Sequence, residues 1–150
     1  MTEAAKPFSL IKKDFDCVAD TMAVVLHLEN RRKPAAAKAW FTAAEKAERR
    51  VGISTITLAE IGYLGQKGRI GLTPADVVAY AYRYSTIVLA SLTPEVVMAA
   101  FAISDIPELH DRLIAGTAHA EFLLHKTPFP VLTNDPVITA SAFVETVWDK

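Results

Sequence analysis

Cysteine is almost missing from these 150 residues. The single Cys17 cannot close an internal disulfide, and one thiol makes neither a zinc site nor a redox pair, so a reducing compartment is expected. Long apolar runs are missing as well. The longest uncharged stretch, 84–94, falls far short of the roughly 20 residues that span a bilayer, and the first residues lack the basic-then-apolar plan of a signal peptide. The reading is a soluble, cytoplasmic protein with no membrane partner. Neither charge is in excess: 16 Lys and Arg face 17 Asp and Glu, for a net charge of −1. That excludes a molecule that is basic all over and binds nucleic acid by bulk charge. No internal repeat is visible. What is present, 51% hydrophobic and 22% charged residues, is globular in composition and of a length that fits one domain over 1–150, with 1–14 as a loosely held lead-in.

Elements alternate along the chain. Cys17–Asp20 reads as a first strand, followed by helices over 21–30 and 34–50. Val51–Ser54 is short and β-branched, a second strand, and Ser54 or Thr55 caps a helix that fades at Gly65 and Gly68. Thr73-Pro74-Ala75-Asp76 places a capping hydroxyl, a proline at the first helical position and a carboxylate in the first turn. A third strand over 86–92 precedes the same start signal at Thr93-Pro94-Glu95. A long helix follows over 109–125. Gly116 weakens it by roughly 1 kcal/mol relative to Ala, which implies close packing there. Strand four (130–132), a short helix opened by Asp135-Pro136 and a fifth strand (144–148) complete the chain. Strands alternating with helices predict an α/β fold: a three-layer α/β/α sandwich with a mostly parallel central sheet of about five strands.

In such a sheet, right-handed crossovers bring strand-to-helix junctions to one edge, where ligands bind. Asp20, Glu60 and Asp135 fall at or near such junctions, and Asp111 lies in the first turn of the long helix. Each has a plain structural reading. Asp20 and Asp135 can cap helices, Asp111 can serve the helix dipole, and Glu60 can face solvent. Gathered at one edge they repel one another, so that at neutral pH one is protonated or a cation is present. Oxygen-only donors favour Mg²⁺ or Mn²⁺ over Zn²⁺. Arg31, Arg32, Lys33, Lys38, Lys46, Arg49 and Arg50 crowd a different region, against only Glu45 and Glu48. That is either a solvated helical hairpin or a surface for a polyanionic backbone.

Four blocks carry a resemblance. They are Asp20-Thr21, the segment Ile53-Ser54-Thr55-Ile56-Thr57-Leu58-Ala59-Glu60-Ile61, the segment His110-Asp111-Arg112-Leu113-Ile114-Ala115, and Leu132-Thr133-Asn134-Asp135. In order and spacing the chain from Cys17 to Trp148 resembles PIN-domain ribonucleases. Within them it looks most like the VapC-like toxins of type II toxin–antitoxin pairs, which often carry a Gly-Arg-Ile tail after the second block, here Gly68-Arg69-Ile70. The resemblance implies a metal-dependent endoribonuclease. Asp20, Glu60, Asp111 and Asp135 would ligate one or two Mg²⁺ or Mn²⁺ ions that lower the pKa of a bound water and neutralise charge at the scissile phosphate. It further implies that Thr133, Thr21 and Asn134 support the acids, that an RNA substrate and a cognate antitoxin are the partners, and that the protein is a homodimer. Two positions depart from the pattern: Met22 stands where many relatives have a small hydroxyl residue, and Gly116 where they have Ala.

Other residues admit competing readings. Arg31, Arg32, Lys33, Lys38, Arg49 and Arg50 are candidates for RNA contact, and Trp40 and Phe41 beside them either stack a base or meet a protein partner. His27, His110, His119 and His125 share no metal-like spacing. Tyr80, Tyr82 and Tyr84 read as packing residues. Asp14 and Asp16 invite comparison with Asp-x-Asp phosphatases, but Ile11-Lys12-Lys13 is a poor strand before them. Alternatives to a toxin are a housekeeping PIN nuclease in RNA processing and a non-catalytic binding module on the same fold.

Overall fold

The computed structural model describes residues 14–149, so the lead-in, Asp14 apart, and the Ile11-Lys12-Lys13 segment lie outside the described residues. In chain order the elements are β1 (Cys17–Ala19), α1 (Thr21–Leu28), α2 (Ala35–Glu45), β2 (Val51–Ser54), α3 (Thr55–Gln66), α4 (Pro74–Arg83), β3 (Ile87–Ala90), α5 (Pro94–Ala102), α6 (Leu109–His125), β4 (Val131–Leu132), α7 (Pro136–Thr139) and β5 (Thr146–Val147). Local chemistry sets many of the helix starts. Thr73 and Asp76 form a reciprocal capping box at α4, Thr93 caps α5 through the Val96 N–H, and Pro74 and Pro94 occupy first-turn positions.

The five strands pair in the order β3-β2-β1-β4-β5, all parallel. Side chains alternate across the sheet, as the pleat demands. Cys17 and Ala19, Val51 and Ile53, Ile87 and Leu132 join a core with Val24 and Val25 of α1, Phe41 of α2, Ile61 of α3 and Val77 of α4. Val18, Ala90 and Val131 join a second core with Ile114 and Ala118 of α6 and Ile138 of α7. Helices therefore cover both faces, giving the expected α/β/α sandwich. Gly52 leaves room for the Phe15 ring, which lies 2.7 Å from where a Cβ would stand.

The close packing implied at Gly116 is there. A Cβ at that position would sit 2.5 Å from the Cβ of Ala100, so α5 and α6 meet almost backbone to backbone.

Several expectations change. The helix read over 34–50 ends at Glu45, and Ala47 takes a left-handed φ of 59° in the turn that follows. Strand three shortens to Ile87–Ala90 and strand five to Thr146–Val147. Tyr80 does pack, donating its hydroxyl to Glu45 Oε2 at 2.6 Å while His27 Nε2 meets the same oxygen at 2.6 Å. Tyr82 does not; it is 87% exposed.

Candidate active site

The strand order places a switch point between β1 and β4. The chain steps outward from β1 to β2 and β3, then returns through α5 and α6 to β4 on the other side of β1. At such a point the connections leave in opposite directions and open a crevice at the carboxyl edge of the sheet. Asp20 follows β1 directly and caps α1, its Oδ1 accepting from the Ala23 N–H at 2.8 Å. Asp135 follows β4 and caps α7, accepting from Val137 N–H at 2.8 Å and Ile138 N–H at 3.1 Å. Glu60 projects from α3, and Asp111 from the first turn of α6. All four acids line one cavity of about 400 Å³, together with Thr21, Met22, Leu26, Leu64, Ile114, Asn134 and Trp148. The capping roles and the shared cavity are thus compatible: a carboxylate that ends a strand at this edge caps a helix with one oxygen and faces the crevice.

Hydroxyls hold the acids in place. Thr21 Oγ1 donates to Glu60 Oε1 at 2.7 Å and lies 3.1 Å from Thr57 Oγ1, which ties α1 to α3. Thr133, buried, accepts from the Asp135 N–H at 2.9 Å, and its hydroxyl favours the charged form of the Asp20 carboxyl. Asn134 lines the cavity but is exposed. His110 Nδ1 lies 3.5 Å from Glu60 Oε2 and 3.7 Å from Glu108 Oε1. Its place beside Asp111 was visible in the sequence, but the fold that turns it toward Glu60 was not.

The electrostatics follow from burial first and from crowding second. Burial pushes the Asp20 carboxyl up to about 6; the hydrogen bonds from Thr133 and Ala23 oppose that, and the charges of Asp135 and Glu60 add to it. Asp111 is also pushed up to about 6, first by burial and then by Asp135, Glu108, Glu60 and Asp20. No Lys or Arg lines the cavity among the described residues. The donor set therefore suits a hard divalent cation, the species that relieves repulsion among oxygen donors. Among the described residues, however, no three acidic, His or Cys side chains are drawn together as a ready-made metal cage.

The sequence matches the PIN domain model over residues 17–143. The chain belongs to the PIN domain family. No curated protein matches it. Solved structures that share the fold include VapBC2 from Rickettsia felis bound to a promoter DNA fragment. The identity there is 18% and the TM-score 0.62, over 88% of this chain and 98% of that one. DNA-bound VapBC from Salmonella typhimurium gives 19% identity and a TM-score of 0.62, over 89% and 97%. A toxin–antitoxin complex from Klebsiella pneumoniae gives 18% and 0.57, over 89% and 98%. At these identities the likeness is one of fold.

The basic residues of this PIN domain do not form one patch. Arg31, Arg32 and Lys33 lie between α1 and α2, and Lys38 in the first turn of α2, whose Ala37 N–H donates to the Trp148 carbonyl at 3.1 Å on the cavity side. Arg49 and Arg50 stand at the opposite edge of the sheet. Arg50 immediately precedes β2, and its N–H donates to Asp16 Oδ2 at 2.8 Å. Asp16 is thereby engaged at the amino end of β1, away from the crevice, which removes the geometry an Asp-x-Asp phosphatase needs. Phe41 is fully buried, its ring stacked on His27 at 4.2 Å, so it cannot stack a base. The Trp40 ring carries the Arg49 guanidinium 4.3 Å above it.

Proposed function

We propose that this PIN domain is a metal-dependent endoribonuclease and the toxin of a toxin–antitoxin pair. The observation that carries the reading is the single cavity lined by Asp20, Glu60, Asp111 and Asp135, with no basic side chain among the described residues to neutralise it. Those four carboxylates would hold one or two Mg²⁺ or Mn²⁺ ions. Such an ion, when bound, supplies positive charge against the scissile phosphate and acidifies water for attack on phosphorus. The chain's own groups fix the geometry. Thr21 and His110 orient Glu60, and Thr133 sets the spacing of Asp20 and Asp135. The β1–β4 crevice aligns the backbone so that water adds on one side of phosphorus as the ribose oxygen leaves on the other. The toxin assignment draws on fold analogy with toxin–antitoxin complexes. An antitoxin is accordingly the expected protein partner, and a homodimer the expected assembly.

Incubation with RNA tests the reading. Cleavage in Mg²⁺ or Mn²⁺ is expected to stop in EDTA and to fall by about 100-fold or more in Asp20→Asn and Asp111→Asn. Cleavage that survives EDTA, or is indifferent to both substitutions, overturns it. Growth arrest on expression, relieved by the product of a neighbouring gene, separates a toxin from a housekeeping nuclease.

A further inference from the structure

Metal and phosphate chemistry explains only half of the cavity wall. Met22, Leu26, Leu64, Ile114 and Trp148 line it as well, and neither a cation nor a phosphate has any use for an indole. We propose that the Trp148 ring is the stacking surface for the substrate nucleobase that flanks the scissile phosphate. The assignment rests on the nuclease reading and adds to it a residue outside the four acidic blocks.

The fold itself puts Trp148 there. It follows β5, and because every strand is parallel, the residue after β5 emerges at the same edge as Asp20 after β1 and Asp135 after β4. Its backbone is clamped from two sides. The Thr133 N–H donates to the Val147 carbonyl at 3.2 Å, and the Ala37 N–H to the carbonyl of Trp148 itself. One part of the ring packs on the core shared by α1 and α2 while the residue remains partly exposed. Among the described residues no aromatic ring or cation is stacked on it, in contrast to Trp40 under Arg49 and Phe41 under His27. A clamped, partly exposed indole lining a phosphate-cutting pocket fits a nucleobase, since every base has a face to stack and stacking tolerates sequence. Lys38, one residue beyond the Ala37 clamp, is exposed at the same end of α2.

The test uses an unstructured RNA of about 12 nucleotides, its cut site mapped first and abasic nucleotides then placed on either side of the cut. Trp148→Leu keeps apolar bulk and removes the stacking face; Trp148→Phe keeps a ring. The Leu variant is expected to raise KM by about 10-fold or more with a smaller change in kcat, and the Phe variant to recover most of the loss. One abasic position should slow the parent protein by a similar factor and leave the Leu variant unaffected. In Trp40→Phe/Asp111→Asn, where Trp148 is the only indole, the intact RNA should quench its fluorescence. Equal KM for all three proteins, or the same abasic penalty in the parent and the Leu variant, overturns the stacking role and leaves the nuclease reading standing. If the parent cuts no RNA, both fall. Should the Leu variant fail to fold, the Phe variant and the quenching measurement still decide.

Discussion

Thr133 serves two of the acids through one hydroxyl, favouring the charged form of Asp20 and accepting from the Asp135 N–H. Removing it takes a hydrogen bond away from the charged form of Asp20, which raises that carboxyl further. Thr133→Val should therefore move the acid limb of the pH–rate profile upward by roughly half a unit to one unit, with a smaller effect well above it. A flat loss at every pH would show that the hydroxyl only packs. The raised carboxyls also predict how stability depends on pH in EDTA. Free Asp titrates near ~3.9, whereas Asp20 and Asp111 are pushed up to about 6. Between these values the folded protein holds protons that the unfolded chain has released. Their contribution to stability is complete below the unfolded value and is lost as pH rises through about 6. Relative to Asp20→Asn/Asp111→Asn, the parent protein should thus gain Tm on acidification from neutral pH to about 5, by roughly 5 °C. Groups the two proteins share, such as His27, cancel in the difference. An identical pH dependence of Tm would refute the raised carboxyls.

The α5–α6 contact gives a prediction at the level of elements. Ala at position 116 improves helix propensity by about 1 kcal/mol. Its Cβ, however, would stand 2.5 Å from Ala100 Cβ, 2.7 Å from Ala100 Cα and 2.9 Å from Ala100 N. Two of those atoms are backbone, so a rotamer change cannot relieve the clash and the helices must part. Gly116→Ala should destabilise by about 1–3 kcal/mol in denaturant unfolding, and Ala100→Gly should restore only part of that. This contact was legible because a glycine inside a good helix needs a packing reason. The α6 limits, Leu109–His125, were legible too, as were the Thr-Pro starts of α4 and α5, since caps and prolines act locally. Sheet order was not legible, because it depends on which crossover turns back, and no local signal records that. Tyr82 and Phe41 went astray for a related reason: spacing shows that a residue shares a helix face, but not which face the sheet covers. The edge assignments of Arg50 and Trp148 were within reach, since a residue just before a parallel strand lies at one end of the sheet and a residue just after one lies at the other.

Across the whole molecule, charge is arranged by that same polarity. The net charge of −1 hides an acidic crevice at the carboxyl edge, basic side chains on the α1–α2 segment, whose Ala37 bonds to the Trp148 carbonyl, and a separate pair, Arg49 and Arg50, at the far edge. Among the α1–α2 group Arg31 is already paired with Glu29 at 3.2 Å, and Lys33 lies near the Phe41 ring with its ammonium pushed below its usual range by burial. Arg32 and Lys38 are exposed. If RNA enters over the Trp148 side, those two carry most of the phosphate binding. Arg32→Ala and Lys38→Ala should each weaken binding of an unstructured RNA and flatten the salt dependence of log K by about 0.7 for each phosphate no longer neutralised. Arg49→Ala should leave that slope unchanged, although it uncovers the Trp40 ring. The opposite pattern, with the slope falling for Arg49→Ala and holding for the other two, would place the RNA at the amino edge.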